Sequence, residues 1–250
     1  MKPEETLPTS TIEVSRPTDK ESAIRLLDAG LRKVSTMLDG ELKRDFFPDL
    51  PFSTLRDELK DGLSFFVKRK PVVNAVELDH LPEVKQFSSS DCVGASFMGA
   101  FSGVTGIEPT RDLYGEVLQT AVKRGFAQHE GPGIKVEPFI FNVFSTPEFR
   151  NALGDMTVAY RKKLSLPEIS KIVKTGHRKN YAVYAFLPFA SWVNPGGGHM
   201  VTLKNIDESQ TTVYDPRSGE NRTLPNAEFQ ERWNHDQKSA VLILKKQKST

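Results

Sequence analysis

Leu81-Pro82-Glu83-Val84-Lys85-Gln86-Phe87-Ser88-Ser89-Ser90-Asp91-Cys92-Val93-Gly94-Ala95-Ser96 holds the single cysteine of a 250-residue chain. A free cysteine is most often a small buried hydrophobe, so its surroundings decide how it reads. Asp91 is a good N-cap, which predicts a helix starting at the cysteine, continued by the apolar run Phe97 to Phe101. A thiol at that position sees the positive end of the helix macrodipole. That favours the thiolate, the form that attacks carbonyl carbon. The small residues Gly94, Ala95 and Ser96 leave room for a substrate and a second packed layer. Gln86 lies six positions before Cys92. Alone it reads as a surface-loop glutamine; with the Cys92 backbone N–H it forms a candidate oxyanion hole. Losing one such donor typically slows catalysis on the order of 100- to 1,000-fold.

A nucleophilic thiol needs a base, and the chain offers His80, His129, His177, His199 and His235. His199 follows Gly196-Gly197-Gly198 and opens an alternating segment running to Ile206. The glycines give backbone space beside the imidazole. Asp215 stands sixteen positions later, at the end of the expected returning strand Thr211–Tyr214. Two antiparallel strands joined at Asp207-Glu208-Ser209-Gln210 can bring the two side by side, so that the carboxylate holds one ring nitrogen. Asp215 before Pro216 also reads as an ordinary turn residue. His177 is the rival base; Gly176 before it reads as a helix end, and no acid follows at hairpin spacing. His80, His129 and His235 lie in charged surroundings and read as surface residues.

Around this centre the pattern is helical first and β later. Residues 1–17 are polar and aperiodic and read as a disordered tail. Thr18 with Glu21 forms a capping-box pair, and Ile24, Leu27, Leu31, Val34 and Leu38 make one apolar stripe. A second helix is expected with Leu55, Leu59, Leu63 and Phe66 on one face. Residues 18–79 thus read as a helical extension ahead of a catalytic domain over 80–250, with an occluding pro-segment as one role. Further helices are expected from Thr110 to Arg124, from Thr146 to about Lys163, and from Ser165 to Gly176. Ile134–Phe144, Tyr181–Phe189 and Ala240–Leu244 read as strands. Helices first and antiparallel strands last argue an α+β fold.

Composition narrows the classes. Lys plus Arg is 34 and Asp plus Glu is 32, a formal net charge of +2, which gives no reason to invoke nucleic acid or an anionic membrane. One cysteine forbids an intrachain disulfide and a multi-cysteine zinc site. Met1–Ser22 lacks an apolar h-region, and no stretch approaches the roughly 20 apolar residues that span a bilayer. A cytoplasmic protein is expected, with export by a route that needs no signal peptide left open.

The combination Leu81-Pro82, Gln86 and Asp91-Cys92, followed by Gly198-His199-Met200-Val201 and Val213-Tyr214-Asp215-Pro216-Arg217-Ser218-Gly219, resembles the C39 and C39-like peptidases. The ending Leu224-Pro225, Phe229, Trp233 and Ala240–Ile243 is similar as well, so the resemblance covers about residues 80–245. It implies a papain-like α+β fold, with a helical half carrying the cysteine and a β half carrying histidine and aspartate. It also implies roles: Cys92 as nucleophile, His199 as general base and acid, Asp215 as the orienting acid and Gln86 as oxyanion donor. A peptide or protein substrate is implied, and no cofactor or metal. Val93 stands where that family usually has glycine, with glycine one residue later, and residues 1–79 match none of its motifs. The same Cys-His-Asp order resembles transglutaminases, arylamine N-acetyltransferases and phytochelatin synthases, so acyl transfer is an alternative. A peptide-binding module without activity is another.

Overall fold

The computed structural model describes residues 16–37, 78–131, 133–179, 181–187, 198–234 and 240–246. Residues 1–15 of the tail expected over residues 1–17 and the helix expected around Leu55–Phe66 lie outside these, as does His235.

Helix α1 spans Lys20–Met37. Its cap sits one residue later than expected: the Asp19 carboxylate accepts the Ser22 N–H at 2.7 Å, and Ser22 Oγ answers the Thr18 and Asp19 N–H groups. The aspartate–serine pair meets the same orphan donors that a Thr-x-x-Glu box would. Of the apolar stripe, Leu27, Leu31 and Val34 are fully inaccessible and Ile24 is half-buried, while Leu38 lies outside the described residues. The inaccessible three share one core with α2 (Cys92–Thr105), α3 (Arg111–Lys123) and a buried 3-10 segment, Pro138–Ser145. Arg124, just past α3, adds a two-pronged ion pair to Asp28 of α1 at 2.6 and 2.8 Å. Residues 20–37 therefore belong to the hydrophobic body that carries Cys92.

Pro138–Ser145 was expected to continue the strand begun at Ile134. Instead a short hairpin of β1 (Ala127–Glu130) and β2 (Gly133–Val136) ends before it. The run Phe139-Ile140-Phe141-Asn142-Val143-Phe144 is buried on all sides, so it has no polar face to alternate with. Downstream, the helix expected to reach Lys163 stops early: α4 covers Pro147–Leu153, and β3 covers Met156–Lys162. The β-branched and aromatic residues of β3 pair along their full length with β8 (Ala240–Lys246), which overrides the weak local helical pattern. Helix α5 (Leu166–Lys179) is capped by Glu168 back to Ser165 as expected, yet it continues through Gly176. Gly176 faces Tyr181 and Val183, and a close helix–strand contact, rather than a helix end, accounts for it.

The remaining strands are β4 (Tyr181–Leu187), β5 (His199–Ile206), β6 (Gln210–Asp215) and β7 (Glu220–Pro225), followed by α6 (Asn226–Asn234). They complete a six-stranded sheet in the order β3-β8-β4-β5-β6-β7, antiparallel throughout. The fold is thus mixed α+β, helices packed on an antiparallel sheet. β4 shows how the sheet is covered on both faces. Ala182 and Tyr184 join the core with α1, α2 and α3, while Val183, Ala185 and Leu187 join a second core with Ile169 of α5 and Phe229 and Trp233 of α6. Within the first core, a Cβ at Gly99 would fall on the carbonyl oxygen of Pro82, so a bare backbone is what lets the segment leading to Gln86 lie along α2. No helix among the described residues is long and apolar enough to cross a membrane.

Truncating a side chain at the centre of α1 should destabilise the whole body. Leu31→Ala is expected to lower unfolding free energy by roughly 2–5 kcal/mol, read in denaturant melts. Deleting residues 1–37 should then yield a poorly folded chain, not a more active one; an unchanged melt in either variant would contradict the packing.

Candidate active site

The hairpin β5–β6 pairs Thr202 with Tyr214 and Leu203 with Val213, with a bulge between Leu203 and Asn205. Its turn is built by Asp207, whose carboxylate accepts the N–H groups of Ser209 and Gln210 at 2.8 and 2.7 Å. This local structure sets the first residue of β5 beside the last of β6. His199 Nε2 lies 2.7 Å from Asp215 Oδ1, and both residues are buried, at 2% and 1% exposure. Asp215 is itself held. Its Oδ1 also accepts the Arg217 N–H at 2.9 Å, and Arg222 from β7 places Nε 3.7 Å from Oδ2.

Cys92 reaches the same place from more than a hundred residues away. It is the first residue of α2 and is 6% exposed. Its Sγ accepts the Met200 N–H at 3.4 Å and lies close enough to His199 to influence the ring's charge. With Nε2 committed to Asp215, Nδ1 is the ring nitrogen left for a second partner. The thiol is therefore not the apolar plug that a buried cysteine usually is; its neighbours are an amide N–H and an imidazole.

Burial is the largest single influence on His199 and acts to lower its pKa. The hydrogen bonds to Asp215 and then Cys92, with the charges of both, outweigh it and push the pKa up to about 9. The ring is thus held as imidazolium at neutral pH, the state that stabilises an adjacent thiolate.

Gln86 is 8% exposed, so it is not the surface glutamine its sequence context suggests in isolation. Its backbone N–H donates to the Pro216 carbonyl at 2.8 Å, tying the segment before Cys92 to the turn after Asp215. Its side-chain Nε2 donates to Ser88 O, and its buried Oε1 has no hydrogen-bond partner. Asp91 occupies the N-cap position, but contrary to expectation its side chain makes no cap hydrogen bond. Gly94 was read as space for substrate; the space is filled from behind, since a Cβ there would stand about 3.1 Å from the Tyr114 hydroxyl and Val136. Of the other histidines, His80 and His129 are exposed, and His177 lies within α5. Sequence reasoning missed the Met200 N–H, the Arg217 N–H and Arg222, which act through backbone or across strands and leave no local signature.

No family model matches this sequence, and no curated protein matches it. Among solved structures, a Bacillus anthracis chain described as a candidate C39-like peptidase is similar at 15% identity with a TM-score of 0.44, covering 70% of this chain and 100% of that one. At that level the functional reading rests on the side-chain geometry alone.

The raised His199 pKa has a definite sign for stability. A group whose folded pKa of about 9 exceeds its ordinary 6.5 contributes stability that is fully present below about pH 6.5 and is lost as pH rises through about 9. Denaturant melts of the wild type should weaken across that window. Asp215→Asn should lower the His199 pKa in an NMR imidazole titration and flatten the decline; a wild-type His199 titrating near 6.5 would contradict the geometry.

Proposed function

We propose that this protein is a cysteine-dependent hydrolase of peptide or amide bonds, on a papain-like arrangement of the kind its motifs resemble. The observation that supports this most is the buried His199 imidazole bonded to Asp215 beside Cys92, the first residue of a helix. In this reading the Cys92 thiolate adds to the substrate carbonyl carbon, and a C–S bond forms. The carbonyl oxygen takes up negative charge, which the Cys92 backbone N–H and the Gln86 side-chain amide receive. His199 gives its proton to the leaving amine nitrogen, the C–N bond breaks, and a thioester remains. His199, now neutral, removes a proton from water; the hydroxide adds to the thioester, the C–S bond breaks, the carboxylic acid leaves, and the thiolate and the His199 imidazolium are regenerated. Asp215 holds the ring in the orientation and tautomer that these transfers need. The Gln86 amide would have to offer its second N–H to the oxyanion, the first being spent on Ser88.

Iodoacetamide labelling followed by intact mass across pH tests the thiol–imidazole pair. Folded Cys92 is expected to react faster at neutral pH than the same thiol in the unfolded chain, and His199→Ala should abolish that advantage. With a peptide library as substrate, His199→Ala should cut turnover by about 10²- to 10⁴-fold, and the wild-type rate should fall above about pH 9 as the imidazolium is lost. A cysteine that reacts only on unfolding would identify a structural thiol and end the proposal. Amine acceptors supplied in the same assay identify acyl transfer if they, rather than water, take the acyl group.

A further inference from the structure

An aspartate at an N-cap ordinarily turns its carboxylate onto the N–H groups of the first helical turn. Asp91 does not. Its backbone (φ −103°, ψ 29°) is not extended, and its carboxylate points back along the chain. Oδ1 accepts the Ser88 N–H at 2.8 Å and the Ser88 hydroxyl at 3.0 Å; Oδ2 accepts the Phe87 N–H at 3.1 Å and the Tyr114 hydroxyl at 3.0 Å. The Tyr114 hydroxyl lies 3.2 Å from the Asp91 carbonyl as well. Four donors on one carboxylate, 1% exposed and adjacent to the thiol-bearing residue, exceed what a loop aspartate needs.

We propose that Asp91 and Tyr114 are positioning residues for the oxyanion hole, setting the Gln86 amide and leaving the first N–H groups of α2 open to the substrate oxygen. This rests on the reading of Cys92 as nucleophile. The physical route is short. Asp91 holds Ser88 by its N–H and hydroxyl, and the Ser88 carbonyl in turn holds Gln86 Nε2. The other end of the Gln86 amide, Oε1, has no partner of its own, so the amide's place depends on the loop that Asp91 grips. A carboxylate in the ordinary capping pose would sit on the N–H groups of Val93 or Gly94, one and two residues past the Cys92 donor, and put negative charge beside the developing oxyanion. Tyr114 prevents that pose by anchoring Oδ2. Burial, then the charge of Asp91 and the bond to it, push the Tyr114 phenol far above its ordinary pKa, so it remains a donor. Gly94 admits the hydroxyl, and Phe87 closes over the Tyr114 ring at 4.6 Å between centroids.

Two small reagents separate positioning from mere structural support. Iodoacetamide is attacked at a CH₂ carbon and develops no oxyanion. p-Nitrophenyl acetate is attacked at a carbonyl; its oxygen carries the charge before nitrophenolate leaves and acetyl-Cys92 remains. Tyr114→Phe and Asp91→Ala are expected to slow acetylation at least about tenfold while alkylation keeps its wild-type rate. Asp91→Asn, which retains an acceptor for Ser88, should recover part of the loss. An acetylation-to-alkylation ratio that stays at the wild-type value in Tyr114→Phe, with the fold intact by thermal melt, overturns the inference; that variant decides the matter if Asp91→Ala fails to fold. A wild-type Cys92 that reacts with neither reagent in a His199-dependent way overturns the hydrolase reading beneath it, and so the two failures are distinguishable.

Discussion

The bond between His199 and Asp215 is buried almost completely, and the rest of the site depends on its being satisfied there. An ionised carboxylate or imidazolium taken out of water alone carries a penalty of several kcal/mol, which only close pairing and further hydrogen bonds offset. Here the offset comes from three directions: the Arg217 N–H and Arg222 on Asp215, and Cys92 on the far side of the ring. Each partner belongs to a different element, so the pair forms only when α2, β5, β6 and β7 are all in register.

The two halves of the site differ in how they are built. His199 and Asp215 come from one hairpin, sixteen residues apart, and a local turn closes them. Cys92 comes from beyond a long helical region, and its approach depends on the packing of α2 against β5. That packing in turn needs the sheet complete, and the sheet is completed late: β8, near the chain's end, inserts between β3 and β4. Closing such non-local pairings is entropically slow. His199 and Asp215 can therefore meet early, while Cys92 joins them only in the finished fold.

Residue patterns revealed the site more readily than the fold around it. The strand from His199 to Ile206, the Asp207 turn and the helix at Cys92 are each specified by short-range signals, and the structure has them where the sequence puts them. Pro138–Ser145 was misread because a short apolar run looks alike in a buried strand and a buried 3-10 segment. The end of α4 and the start of β3 escaped because β8, about ninety residues away, supplies the pairing that decides them. Gly176 looked like a helix end because a glycine that admits a neighbour and one that stops a helix are identical in sequence. Asp91 was noticed for its position, yet its true partners are a loop behind it and a tyrosine on another helix.

Two buried carboxylates flank the thiol-bearing helix terminus, and they are not equivalent. Asp215 meets a titratable partner, so its charge raises the affinity of His199 for a proton. Asp91 meets only N–H and O–H donors, and its negative charge is spread over four of them. A charge so saturated acts weakly on its surroundings, because the dipoles that satisfy it oppose its field. The thiol thus keeps the positive end of α2 and the His199 ring beside it, while the nearest carboxylate in sequence is turned away and quenched. Had Asp91 capped α2 in the ordinary way, it would have opposed the helix dipole at Cys92. A sequence with Asp directly before its cysteine is consistent with an electropositive thiol site only if that aspartate finds its donors elsewhere, and the loop from Gln86 to Ser90 together with Tyr114 provides them.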